Sequence, residues 1–402
     1  MGGAAGGADP RLRQLRYALT AFFAVDGFVF AGWVVRIPAV KEQTGASASA
    51  LGLALLGVSA GAVVTMTLTG RLCQRLGNHP VTVGAALLLS ASVALPPHAH
   101  SAVVLGAMLL LFGAGFGGMN VAVNSAAVDL VAALGRPVMP GFHAAFSLGG
   151  MVGAGAGGLV AGSLSPAWHL SGLALIGVLV TVVAGRTLLA APVPAPLRAE
   201  GAEAGTGGAG ADGVRPAAGP VGWLVVVLGV VAACTAYGEG ALADWSALHL
   251  RETLLASEGL AAAGYSVFAL AMTVGRLSGT WLLLRLGQTR AMVAGGTVAA
   301  AGMLLASLAP SVGLALVGFV VTGLGLANIF PVAIGQAGAL AGPRGVAAAS
   351  TVGYAGMLLG PVAIGFLAEW FSLAAALTSV AALSAVAAVV AYGLRGSAPA
   401  TS

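Results

Sequence analysis

"WLVVVLGVVAACTAYGEGALADWSALHL", residues 223–250, runs without a charged side chain as far as Glu239 and adds a second acid, Asp244, five residues later. A helix rises 1.5 Å per residue, so about 20 apolar residues cross the hydrocarbon core of a bilayer. The stretch is long enough to cross, and both acids then lie within a span or at its mouth. An ionised side chain at the centre of such a helix costs about 2.5–3.5 kcal/mol on insertion scales. Two acids retained there need a reason.

The rest of the chain has the same character. Of its 402 residues 58% are hydrophobic and 7% charged, whereas about a quarter of a soluble domain is charged. Such a surface cannot face water, and a membrane protein follows. The chain has 63 glycines, and those inside apolar runs suit close helix–helix approach. The net charge of +5 does not point to nucleic acid, because the Lys and Arg stand singly between apolar runs. Cys73 and Cys234 fall in different halves and suggest no disulfide framework. The apolar run after the leader "MGGAAGGADPRLRQLR" is too long for a signal-peptide core and reads as a retained first span.

Apolar runs near 15–36, 49–71, 80–96, 101–128, 143–164 and 169–190, and again near 221–245, 260–285, 291–309, 312–335, 346–370 and 372–394, predict about twelve membrane helices. The expected organisation is a six-helix bundle over 1–190 with a flexible leader at 1–14, a Pro/Gly/Ala-rich disordered linker over 191–220, and a second bundle over 221–402. Most of the seventeen Lys and Arg fall on the linker side; Arg36, Lys41 and Arg251 fall on the other, and Arg276 lies within a span. The positive-inside rule then makes both termini cytoplasmic. The halves echo each other at an offset of 210 to 212 residues: "VDGFVFAGW" (25–33) with "YGEGALADW" (237–245), "QRLG" (74–77) with "LRLG" (284–287), and "GAGFGG" (113–118) with "GLGLAN" (323–328). A parallel six-helix repeat is a transporter architecture.

With these features the chain resembles the major facilitator superfamily over nearly its whole length. "GRLCQRLG" (70–77) is similar to that family's loop between its second and third helices, with Gly70, Leu72, Arg75 and Gly77 matching and Gln74 where the family usually has Asp. Leu109 stands where drug antiporters carry an Arg in the fourth helix, and "GMLLGPVAIG" (356–365), with Gly356, Gly360 and Pro361, resembles their Gly-Pro motif but lies in the eleventh. "WVVRIPAV" (33–40), "GGMNVAVNSAAVDL" (117–130), "GFHAAFSLGG" (141–150) and "GEGALADWSALHL" (238–250) resemble YbjJ-like transporters, distantly similar to fucose–galactose–glucose:proton symporters. The resemblance implies an all-α fold of two pseudo-symmetric bundles around a central cavity.

Candidate residues follow from position. Asp26 lies about 15 Å beyond Arg16 along a helix, near mid-membrane; it is a proton-coupling carboxylate or a structural partner of a buried group. Glu239, about 24 Å beyond Trp223 and flanked by Gly238 and Gly240, is expected to face the cavity at a bend as a proton-coupling candidate. Five residues turn a helix by roughly 140°, so Asp244 should look elsewhere and brace the outer helix end beside Trp245, an interfacial anchor. Arg276 either clamps an anionic group or pairs with Asp26 or Glu239. Asn120 and Asn124 share a helix face; Asn328, before "FP" at 330–331, and Gln336 join them as amides for a polar ligand or for interhelical hydrogen bonds. His143 is a gate residue or a helix-end group. "GAGFGG" follows no strand, so it is a packing surface and not a dinucleotide site.

No Walker sequence, metal-ligand spacing or Ser-His-Asp set is visible. The expectation is a non-enzymatic, monomeric secondary transporter with no cofactor, moving a small polar solute, with protons as the driving ion. Proton-driven efflux of drugs or metabolites is the alternative, and a non-transporting membrane sensor is the alternative of another class.

Overall fold

The computed structural model describes residues 10–134, 138–190 and 220–394. The leader up to residue 9 and the linker, apart from Pro220, lie outside the described residues. The first half comprises α1 (Pro10–Val34), the short α2 (Ile37–Thr44), α3 (Ala48–Leu76), α4 (Asn78–Ser92), α5 (Ala102–Leu134), α6 (Met139–Val160) and α7 (Pro166–Ala190). The second comprises α8 (Pro220–Leu248), α9 (Glu258–Leu277), α10 (Gly279–Leu286), α11 (Gln288–Ser307), α12 (Val312–Leu326), α13 (Ile329–Trp370) and α14 (Leu373–Gly393). No strand occurs among the described residues.

Among the described residues, eleven helical stretches are long and apolar enough to cross a membrane. The expected twelfth is α6, whose glycines and His143 dilute its hydropathy without breaking the helix. Residues 10–14, expected in the leader, form the first turn of α1. Pro10 opens it, at a position where a missing N–H costs nothing.

Small residues set the packing. A Cβ on Gly113 or Gly117 of α5 would meet the backbone of Val58 or Ala62 on α3. One on Gly149 or Gly153 of α6 would meet Ala24 or Phe28 of α1, and one on Gly356 of α13 would meet Ala233 of α8. The "GAGFGG" run is thus a face on which backbones touch. The repeat survives in detail. Ser47 and Ser257 cap the starts of α3 and α9 by accepting a backbone N–H. Gly77 and Gly287 end α3 and α10 at φ 88° and 75°, a conformation that favours glycine.

The halves meet through α3 with α13 and α6 with α9, at the end remote from Ala190 and Pro220. There a Cβ on Gly52 would lie 2.5 Å from the Pro361 carbonyl oxygen, and one on Gly158 would lie 3.1 Å from Ala262 Cβ. Toward the other end of the same helices, a Cβ on Gly70, Gly141 or Gly335 would meet nothing within 4 Å.

Charges reinforce the joined end. Arg36 is 1% exposed. Its Nε donates to His169 Nδ1 (2.9 Å), and its other nitrogens donate to the carbonyls of Ala161 (3.2 Å), Leu164 (3.1 Å) and Val160 (3.4 Å). Its Nη1 lies 3.6 Å from Glu258 of the opposite half. Burial presses the guanidinium below its ordinary pKa, and the Glu258 carboxylate pulls the other way. Lys41 pairs with Glu252 at 2.5 Å and Arg251 with Glu42 at 4.0 Å, both across the halves. Ser49 N–H donates to Glu369 at 3.0 Å, again across the halves.

Candidate functional site

Glu239 stands near the middle of the Val221–Thr253 span. Arg276, at the end of α9, donates through Nη2 to both of its carboxylate oxygens, at 3.2 and 3.1 Å. At mid-span such a pair would be sealed by packing, yet Glu239 is 30% and Arg276 51% exposed. The first half supplies the facing wall. Tyr265 of α9 makes an edge contact with Phe30 of α1, and Phe30 stacks on Phe116 of α5 at 4.8 Å. Thr273 of α9 donates to Ser147 of α6 at 3.3 Å. His143, its ring against Phe23, lies within electrostatic reach of Arg276. The pair therefore faces the space between the halves.

Two helix breaks hold Arg276 in place. Pro331 has no N–H to give the Ala327 carbonyl one turn earlier, and the helix interrupts at Ala327–Asn328 between α12 and α13. Arg276 Nε donates to that freed carbonyl at 3.4 Å. Asn328 Nδ2 donates to the Gly275 carbonyl at 2.9 Å, beside the second break at Ser278 between α9 and α10. Asn328 thus positions the helix that carries the cation.

The two acids of the opening stretch are not arranged as expected. The π-helical turn His249–Thr253 extends α8, so Asp244 lies inside the span and not at its end. Trp245 is 0% exposed, packed in the core, and is not an interfacial anchor. Asp244 has no ion pair or hydrogen bond among the described residues, and Tyr265 lies within electrostatic reach of both acids. Gly238 and Gly240 do not interrupt α8, and Gly238 packs against Leu326 and Val380.

Asp26 is 1% exposed, with Oδ1 unpartnered. It shares a face of α1 with Phe22, Val29 and Trp33, which pack toward α7 and α5, so it sits inside the first half. Asn120 is exposed and its carbonyl accepts from Asn124 Nδ2 at 2.7 Å, a contact along α5 and not between helices. Gln336 Nε2 donates to Gln288 Oε1 at 3.0 Å, away from the ion pair. Arg75 and Gln74 are exposed beside the Gly77 turn, and Gly70 faces open space. Gly360 lies against Tyr237 of α8, while Pro361 meets Gly52 across the halves.

Several residues were not singled out in the sequence. Arg36 and Lys41 read in the sequence only as charges flanking spans, and Glu252 and Glu258 do not stand out there. Tyr265, Thr273 and Ser147 carry no signal without neighbours. Asp129 accepts from Asn78 at 2.6 Å, so an acid does serve the corner where Gln74 replaces the family's Asp.

Two helical bundles of one repeat, made of apolar spans with a partly exposed ion pair facing between them, define a multi-pass membrane carrier. The sequence profile of the Major Facilitator Superfamily matches residues 17–287, and the chain belongs to that family. An uncharacterized MFS-type transporter of Yersinia pestis is 34% identical over 383 residues, 93% of this chain and 94% of that one. An uncharacterized transporter of Sinorhizobium fredii is 34% identical over 381 residues, covering 94% and 97%. The fold is shared with the crystal structure of a point mutant of the nucleoside transporter NupG, at TM-score 0.75 and 14% identity, over 95% of this chain and 99% of that one. The protein is a membrane transporter and not an enzyme.

Proposed function

We propose that the chain is a secondary active transporter of a small polar organic solute, coupled to protons, working by alternating access between its two halves. It sits in the cell membrane with both termini cytoplasmic. The observation that carries this reading is the half-exposed Glu239–Arg276 pair at mid-span. A carboxylate there can lose its charge by taking a proton, whereas a guanidinium keeps its charge at any physiological pH. Glu239 is the coupling site, and Asp26, buried with its Oδ1 unpartnered among the described residues, is the second candidate. The arrangement described is joined at the end remote from the linker, so in this orientation the gap opens to the cytoplasm.

Reconstituted protein in proteoliposomes with an imposed pH gradient tests the reading. Accumulation of labelled solutes driven by the gradient is expected. Glu239→Gln should retain solute exchange and lose gradient-driven accumulation, while Asp244→Asn should keep both. Wild-type accumulation by Glu239→Gln would move the coupling site to Asp26. A protein that binds solute and never moves it would be a sensor.

A further inference from the structure

We infer that the solute carries an anionic group, a carboxylate in the simplest case, which takes over Arg276 when Glu239 is protonated. The inference rests on the reading of Glu239 as the coupling group and adds the class of substrate.

Arg276 makes three hydrogen bonds: Nε to Ala327 and Nη2 to the two oxygens of Glu239. Its Nη1 has no partner among the described residues, and half of the side chain is exposed to the gap. Only one member of the pair can switch its charge off. If Glu239 takes a proton, Arg276 loses its charge partner while half of its side chain stays packed away from solvent, which is unfavourable. An anion entering the gap removes that cost through a forked guanidinium–carboxylate contact. An amine-bearing solute would gain nothing similar at this pair. To reach Glu239 it would have to displace Arg276, and the guanidinium, unable to lose its proton, would then stand alone. Proton and anion therefore favour each other, and by reciprocity each raises the affinity for the other. A monoanion with one proton also enters with no net charge.

The walls suit the remainder of such a solute. Phe116 and Asn120 are four residues apart and share a face of α5. Phe116 stacks on Phe30, which touches Tyr265, so this face looks onto the same gap. Asn120 is exposed there. His143, within reach of Arg276, brings a second nitrogen group from the opposite half. An aromatic floor with an amide above it fits a hydroxylated monocarboxylate.

The test is equilibrium binding to the purified full chain, read by thermal shift and tryptophan fluorescence. The probes are hydroxy-monocarboxylates, the polyols of matched size, and the matching amino-polyols, each at pH 5.5 and 7.5. Carboxylates alone should bind, with affinity rising by up to about tenfold per pH unit of acidification. Glu239→Gln should bind them tightly at both pH values, with the pH dependence gone. Arg276→Gln should lose binding. Because it leaves Glu239 unpaired, the double variant Glu239→Gln/Arg276→Gln, a neutral pair of similar size, serves as the folded control and should also fail to bind. Binding of polyols or amines in preference to carboxylates overturns the inference. So does carboxylate binding that survives loss of Arg276, or no carboxylate binding by a protein that melts cooperatively. Arg276-dependent carboxylate binding without proton-driven accumulation would leave the substrate class standing and remove the coupling reading. Proton-driven accumulation of a neutral polyol would do the reverse.

Discussion

The two ends of the bundle are built from the same helices and differ in what those helices present. At the end remote from the linker, Gly52, Gly158 and Gly365 let backbones of the two halves touch, and Arg36, Lys41 and Arg251 find acids of the opposite half. At the other end Gly70, Gly141 and Gly335 face open space, and Arg71 and Arg75 are exposed. Glycine alone does not make a contact; the joined end adds complementary charge. One of its cations is buried with five hydrogen-bond and ion-pair partners, and the other two are only partly shielded.

The largest effect should come from filling a glycine at the joined end. Gly52→Val would push a side chain into the Pro361 carbonyl and is expected to disfavour that contact by about 1–3 kcal/mol, the usual cost of overpacking. Spin labels at Ser163 and Leu260, both exposed and in opposite halves at this end, would report a longer, broader distance distribution. Gly70→Val, the same change at the open end, should leave that distribution unaltered, and a matching shift would erase the contrast.

Arg36→Gln comes next. It strips the Ala161, Val160 and Leu164 carbonyls of their shared donor and leaves Glu258 without its partner. The expected cost is about 1–3 kcal/mol, below that of a fully buried pair because Glu258 is 40% exposed. Thermal unfolding in detergent would measure it, and raised salt should not reproduce it.

Lys41→Gln should cost under about 1 kcal/mol, since the Lys41–Glu252 pair is only partly shielded. Its effect on the label distances should vanish at high ionic strength, where the wild-type pair is itself screened. A salt-independent effect would mean that Lys41 packs rather than pairs.

Which end faces the cytoplasm is a separate measurement. A cysteine replacing Arg251 should react with a membrane-impermeant thiol reagent from outside the cell, and one at Arg71 should not. The reverse pattern would invert the proposed orientation without altering the difference between the ends.

The fold was legible because span length, glycine content and the 210-residue echo are properties of the chain alone. The α6 helix was legible as well, since an apolar run interrupted by glycine remains helical in lipid. The site was legible in part. Glu239 and Arg276 stood out because charge within a span is rare, and pairing was one of the options for Arg276. Which partner it takes depends on two helix breaks that bring α8, α9 and α12 together, and only the Pro331 signal was visible. Asp244 and Trp245 were misplaced because the π-turn after Leu248 lengthens α8, and an apolar run does not reveal where a helix unwinds. Arg36 looked like a flanking charge because its acceptors are carbonyls and a histidine more than a hundred residues away.

The internal repeat has a consequence for where chemistry can reside. At the offset of 212 residues, each of the three acids in these stretches corresponds to a glycine: Asp26 to Gly238, Glu239 to Gly27, Asp244 to Gly32. Each of those glycines is hemmed in. A Cβ on Gly27 would meet the Phe146 carbonyl, one on Gly32 the side chain of Leu173, and one on Gly238 would lie 3.0 Å from Leu326. The two halves, built on one repeat, are thus not interchangeable at these three places. A hybrid made of two second halves would carry a Glu239–Arg276 pair on each side of the gap, and one made of two first halves would carry none.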